Sequence, residues 1–333
     1  MRSANVEIKT TQSDNFIETV IATAKKTFIP GHAQIKQLES NPIKTLFKPA
    51  DYKDKRFLRH ANWLPDTNFI AAKGPSIEKE MPDFITDTVY NTYRPINQVI
   101  ALGHCLAYTD YTYRDFYDYI IKERDAVFGP YSVSIKHVSG RSTTSDSAHQ
   151  IFPHGAIQSQ LFIRSASNAS VNPRQLNVTL IHLRDNHALD LRHPKKEALK
   201  EILWQFFIKS LKEPIMVHCA AGLGRTGHLI LMFEILKYYS KIYDNNDPAI
   251  AAAKIHDILN DMRSCRPGMV LNEKQFESAI RNASILYSYA LEKEYIVASG
   301  QHAVHVSSMS LFAHKTAAPE QPVMKMTASP KLQ

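Results

Sequence analysis

Val217-His218-Cys219-Ala220-Ala221-Gly222-Leu223-Gly224-Arg225-Thr226-Gly227 decides how this chain is read. A short apolar run, Pro214-Ile215-Met216-Val217, leads into it. Residues 228–239, apolar almost all round, lead out of it. The run before reads as a buried strand and the stretch after as a core helix. Three glycines between them let the backbone turn tightly and bring its N–H groups inward. The start of the helix adds unpaired N–H groups and the positive end of the helix dipole. The product is an anion cradle sized for a phosphate.

Cys219 stands at the start of that cradle and Arg225 at its end. Cysteines beside such fixed donors and a guanidinium have lowered pKa values. The thiolate is a strong nucleophile. Arg225 offers a planar fork to two phosphate oxygens. The backbone of Ala220, Ala221, Gly222, Leu223, Gly224 and Arg225 supplies the N–H donors, and Thr226 can donate toward the Cys219 sulfur. Rival readings fit less well. Gly222-x-Gly224-x-x-Gly227 is a dinucleotide fingerprint in letters, but a loop and another helix follow where that motif needs a strand. A nucleotide P-loop needs Lys before its Ser or Thr, and here Arg225 precedes Thr226. An inert buried cysteine would leave the arginine and two glycines without a purpose.

Working outward, residues 98–102 (QVIAL), 131–137 (YSVSIKH) and 176–183 (LNVTLIHL) read as strands. Residues 195–211, 254–263 and 273–289 carry helical apolar spacing. These elements predict an α/β fold with a central mixed twisted sheet flanked by helices. A polar start at 1–20 reads as weakly structured, 21–292 as one catalytic domain, and 293–333 as a flexible tail. The 333 residues can bury a real core. No apolar run spans a membrane, and no secretory signal of the usual kind opens the chain. A net charge of +8 is spread along the chain, which does not select nucleic acid. Three cysteines, Cys105, Cys219 and Cys265, form no disulfide framework and point to a reducing, cytoplasmic setting. No His/Cys/Asp spacing suggests a metal site, and no cofactor is implied.

His-Cys, five residues, Arg-Thr-Gly resembles the signature loop of the protein tyrosine phosphatase superfamily. Arg263-Ser264-Cys265-Arg266-Pro267-Gly268-Met269-Val270 with Gln275-Phe276 resembles a second segment of that family. Asn68-Phe69-Ile70-Ala71-Ala72-Lys73-Gly74-Pro75, Asp83-Phe84 and Val99-Ile100-Ala101-Leu102 resemble landmarks of its larger, tyrosine-specific branch. The resemblance implies a metal-free hydrolysis of phosphotyrosine in proteins through a phosphocysteine on Cys219. It implies Gln275 as the water-orienting glutamine, although Leu271 stands where tyrosine-specific enzymes usually carry another. It implies a general acid on the loop His182-Leu183-Arg184-Asp185-Asn186-His187-Ala188-Leu189-Asp190, where the usual Trp-Pro is missing. Asp185 is the expected acid, with Asp190 and His187 as competitors. Tyr52, with Trp63 behind it, is the expected aromatic clamp on the substrate ring.

Two alternatives keep the same letters. One is a phosphoinositide or dual-specificity phosphatase. Lysines that would hold extra phosphates are absent from the variable positions Ala220, Ala221 and Leu223. The other is a catalytically weak phosphotyrosine-binding module. The expected partners are phosphotyrosine-containing proteins. The unpatterned tail also suits a sorting signal of a bacterial effector translocated into a host cell.

Overall fold

A computed structural model describes residues 2–40, 61–64, 66–75, 78–90, 96–103, 125–139, 156–166, 172–183, 189–193, 196–297 and 305–306. Helices α1 (Arg2–Lys25) and α2 (Gly31–Ser40) come first, then strands β1 (Ala61–Trp63) and β2 (Phe69–Lys73), helix α3 (Met81–Thr88) and β3 (Gln98–Gly103). Strands β4 (Ala126–Phe128), β5 (Tyr131–Ser139), β6 (Ala156–Ser165) and β7 (Arg174–His182) follow. Then come α4 (Glu197–Ser210), β8 (Ile215–Cys219), α5 (Gly224–Lys237), α6 (Tyr239–Tyr243), α7 (Pro248–Cys265) and α8 (Glu273–Glu292). A two-stranded pair, β9 (Ile296–Val297) with β10 (His305–Val306), is the last described element.

The main sheet has eight strands in the order β1-β2-β8-β3-β7-β6-β5-β4. β2, β8, β3 and β7 run parallel in its middle, and the remaining pairings are antiparallel. This is the mixed sheet that the sequence patterning predicts. All five residues of β8 are buried, as a parallel central strand covered on both faces requires. Alternation splits it between two cores. Ile215, Val217 and Cys219 join the cluster that includes side chains of α1, α4, α5, α7 and α8. Met216 joins the cluster on the other face, with Phe84 and Ile85 of α3. α5 is buried from Gly224 through Leu236, which explains why its sequence has no polar face.

Two long helices begin with local caps. The Asp247 carboxylate accepts from Ala249 N at 2.7 Å and Ile250 N at 3.3 Å, with Pro248 in the first turn of α7. Asn272 Oδ1 accepts from Gln275 N at 2.9 Å and starts α8. Among the described residues, no helix is long and apolar enough to cross a membrane.

The fold departs from the sequence expectation at three places. The start of the chain is helical rather than weakly structured, because Ile17, Val20, Ile21 and Ala24 line one face and bury in the main core. β6 has no counterpart in the pattern reading, although Ile157, Leu161 and Ile163 alternate inward along it. Order also continues past residue 292. Ile296 is buried, and the Tyr295 ring stacks on Trp204 with centroids 6.0 Å apart. Most of the remaining tail lies outside the described residues.

Candidate active site

The site is at the carboxyl end of the parallel strands, where open α/β sheets hold ligands. Register pairs Lys73 of β2 with Cys219 of β8, and Gly74 N donates to Cys219 O at 2.9 Å. Cys219 is therefore fixed by the sheet up to its own carbonyl. The residue is 3% exposed.

Residues 220–223 then make the turn. Gly222 has φ of +70°, and a Cβ there would lie 2.1 Å from Ala72 O, so only glycine fits against β2. The outer side of the turn is held by a buried arginine. Arg266 Nε donates to Gly222 O at 2.8 Å, Nη2 to Ala221 O at 3.0 Å, and Nη1 to Asn62 Oδ1 at 2.6 Å. In a trans peptide the N–H points opposite to the preceding carbonyl. With Ala221 O and Gly222 O turned toward Arg266, the N–H groups of Gly222 and Leu223 point away from it. Burial pushes the Arg266 pKa down to about 10, and the nearby Cys219 acts the other way, so the guanidinium stays charged at neutral pH.

No side chain caps the start of α5. Arg225, in its first turn, is 8% exposed. Thr226 is fully buried, and its hydroxyl has no hydrogen-bond partner among the described residues. His218 precedes the nucleophile position and packs edge-on to Phe84, with centroids 5.5 Å apart. Burial, aided by the Arg225 charge, lowers its pKa to about 3 and keeps the ring neutral.

The second motif buttresses the first. A Cβ on Gly227 would lie 2.6 Å from Val270 N, so the missing side chain lets residues 269–270 reach α5. Val270 N donates to Leu223 O at 3.2 Å. Val270 itself has φ of +61°, a costly conformation for a β-branched residue. Its carbonyl accepts from Gly31 N at 3.0 Å and from Arg263 Nη2 at 3.2 Å, and these bonds hold it there. Gln275 is 2% exposed and its Oε1 accepts from Leu271 N at 2.9 Å. Its carboxamide lies against Gly224, where a Cβ would be 3.0 Å from Nε2.

Cys219, the turn, Arg225, Thr226 and Gln275 therefore come together. Asp190 does not join them as a free acid. Its carboxylate accepts from Arg192 Nη2 at 2.8 Å, Arg192 Nε at 3.0 Å and Arg192 N at 3.0 Å. The Arg192 side chain lowers its pKa and favours the ionised form. Trp63 sits half-buried against the core on the α3 face of the sheet, whereas Cys219 belongs to the other face. Cys265 is half-buried at the end of α7 and packs on the main core. Asp185, His187, Tyr52 and Cys105 lie outside the described residues. Sequence reasoning missed the work of Arg266, which it met only as a letter of a motif, and of Asn62, for which the sequence carries no signal.

A strand-ended cysteine, a glycine turn and an arginine-bearing helix start together make a candidate anion site. The family model for protein-tyrosine phosphatase matches residues 33–285, and the chain belongs to that family. It is similar to Tyrosine-protein phosphatase 2 of Dictyostelium discoideum, with 33% identity over 81 residues. That match covers 24% of this chain and 21% of the relative, so the chain matches about a fifth of the curated relative's length. Among solved structures it is similar to the Trypanosoma cruzi protein tyrosine phosphatase TcPTP1, described as a potential therapeutic target for Chagas' disease. The TM-score is 0.49 and the identity 15%, covering 89% of this chain and 97% of that one.

Proposed function

We propose that the chain hydrolyses phosphotyrosine in proteins through a phosphocysteine on Cys219. The observation that carries this is the turn after β8. Its carbonyls at Ala221 and Gly222 are held by Arg266, which turns the N–H groups of Gly222 and Leu223 away from that guanidinium and leaves them to serve as donors. A phosphate dianion seats on these donors, on the start of α5 and on the Arg225 fork.

In the first step the Cys219 sulfur attacks phosphorus in line. The S–P bond forms as the bond from phosphorus to the phenolic oxygen breaks. Asp185 gives its proton to that oxygen, because a phenolate is a poor leaving group at neutral pH. In the second step a water attacks the phosphocysteine, Asp185 takes its proton, and the sulfur leaves with a hydrogen bond from the Thr226 hydroxyl. Leu271 N–H donates to Gln275 Oε1 and holds the carboxamide, whose Nε2 orients the water. Tyr52 serves as the aromatic clamp. The apolar letters Ala220, Ala221 and Leu223 favour a single phosphate on a peptide over a polyphosphorylated headgroup. A reducing, cytoplasmic compartment keeps such a sulfur usable.

The test is an assay of the purified chain on phosphotyrosine peptides, phosphoserine and phosphothreonine peptides, and phosphoinositides. Turnover confined to phosphotyrosine, its loss in Cys219→Ser with phosphate binding retained, and a phosphocysteine trapped by acid quench and mass spectrometry are expected. More than trace activity in Cys219→Ser removes the nucleophile from the mechanism. Preference for phosphoinositides removes the substrate class. Asp190→Ala should behave like wild type throughout.

A further inference from the structure

Outside the phosphate cradle, three side chains form a continuous hydrogen-bonded path between α5 and the stretch Leu189 to Leu191. Asn282 of α8 is 1% exposed. Its Nδ2 donates to Leu189 O at 2.7 Å, and its Oδ1 accepts from Leu191 N at 3.2 Å. One carboxamide thus grips the backbone on both sides of Asp190. Ser278, one turn earlier, donates its hydroxyl proton to the same Leu189 O and accepts from Asn282 Nδ2 at 3.0 Å. His228 Nε2 lies 3.1 Å from that hydroxyl oxygen. Because the hydroxyl proton is committed to Leu189 O, His228 must be the donor, through its Nε2–H. Burial keeps this ring neutral, with the pKa lowered to about 4. His228 stands on α5 three residues after Arg225.

Burial alone does not call for this arrangement. Leu189 and Leu191 are already in the core at 5% and 0% exposure, and an apolar side chain at position 282 would serve that core as well. A polar group so deep is costly unless each of its bonds is made. What hydrogen bonds add over apolar packing is direction: they set where the backbone lies. The stretch they set begins four residues after Asp185.

We propose that Asn282 and Ser278, braced by His228, are positioning residues that fix the chain at Leu189 and Leu191 relative to the helix of Arg225, and that this anchoring serves proton donation to the leaving oxygen. The inference rests on reading Asp185 as the general acid, and the experiment separates the two.

Asn282→Leu, Ser278→Ala, Ser278→Thr and Asp185→Ala are compared by kcat/KM, which reports transfer to Cys219, on phenyl phosphate and on 2,4-dinitrophenyl phosphate. The first substrate needs a proton on its leaving group and the second does not. Asn282→Leu should lose about 10- to 100-fold on phenyl phosphate, less than the roughly 10²–10⁴-fold that a general acid itself contributes, and stay within about 2-fold on the dinitrophenyl ester. The basic limb of its pH profile should flatten. Ser278→Ala should shift the same way by less, and Ser278→Thr, which keeps the hydroxyl, should restore the contrast. A merely structural role would lower both substrates alike. If Asp185→Ala lacks the contrast, the acid is misassigned. If Asp185→Ala shows it and a folded Asn282→Leu does not, the clamp is refuted. Should Asn282→Leu fail to fold, the Ser278→Ala and Ser278→Thr pair decides by the same contrast.

Discussion

At the scale of single residues, the site depends on one missing side chain and one buried charge. Gly222 turns at φ of +70° with β2 against it, so Gly222→Ala meets two penalties. The left-handed backbone alone costs about 1–2 kcal/mol for an L-residue with a Cβ. A Cβ 2.1 Å from Ala72 O then forces the turn off the sheet. Urea unfolding should show at least that loss, and affinity for inorganic phosphate should fall with it. A variant with native stability and phosphate affinity would mean the turn does not lie on β2. Arg266 donates to Gly222 O, Ala221 O and Asn62 Oδ1, the first two being turn carbonyls. Arg266→Lys keeps charge but not the fork, so it should lose at least about 10-fold in kcat/KM while Cys219 and Arg225 are intact. Steady-state kinetics on a phosphotyrosine peptide checks this, and unchanged kcat/KM would remove Arg266 from the support of the cradle.

At the scale of elements, α5 carries the buried Arg225 in its first turn and a buried acid near its end. Glu234 is 4% exposed as a residue, and burial raises its pKa to about 7, with Lys237 at 3.5 Å opposing the shift only in part. The sign follows from proton binding. Above about pH 4.5 the unfolded chain releases this proton, while the folded protein holds it up to about 7. Folding is therefore penalised progressively over that window, by up to about 3 kcal/mol, and the penalty persists above it. Glu234→Gln removes the ionisation. It should be more stable than wild type at pH 8 by a margin of that order, with the gain fading toward pH 4.5. Chemical denaturation at several pH values reads this directly, and a gain independent of pH would point to packing instead. His218 and His228 act in the opposite sense. Their folded pKa values, about 3 and about 4, lie below the unfolded value of 6.5. The stability of keeping them neutral is full above 6.5 and is lost as pH falls, by about 2 kcal/mol each by pH 5. The Glu234→Gln variant, lacking the offsetting carboxyl, should therefore lose stability in acid more steeply than wild type.

At the scale of the molecule, the N-terminal helix belongs to the same core as β8. Ile17, Val20, Ile21 and Ala24 share a cluster with Cys219, Ile255 and Phe276. Lys25 pairs with Glu273 at 2.6 Å, and Arg281 donates to both oxygens of Glu18 at 2.8 Å. Such exposed pairs contribute little, so the apolar face holds α1 in place. Ile21→Ala should cost about 2–5 kcal/mol of stability while leaving kcat/KM on a phosphotyrosine peptide unchanged. A loss of activity at constant stability would instead tie α1 to the site. Much of this was legible in the chain. A run of apolar letters can only be a strand buried on both faces or a core helix, and glycines at 222, 224 and 227 beside Cys219 and Arg225 mark a place where backbones approach closely. Local chemistry of that kind needs neighbours in sequence, and sequence supplies them. What folding alone decided is held by partners far apart in the chain. Arg266 reaches Asn62, Gly31 N–H reaches Val270 O, and Asn282 reaches Leu189. A hydrogen bond to a backbone carbonyl leaves no mark on the letter that accepts it, because every residue has the same carbonyl. The cradle's letters could be read in advance, but the bonds that aim it exist only once the distant segments have packed.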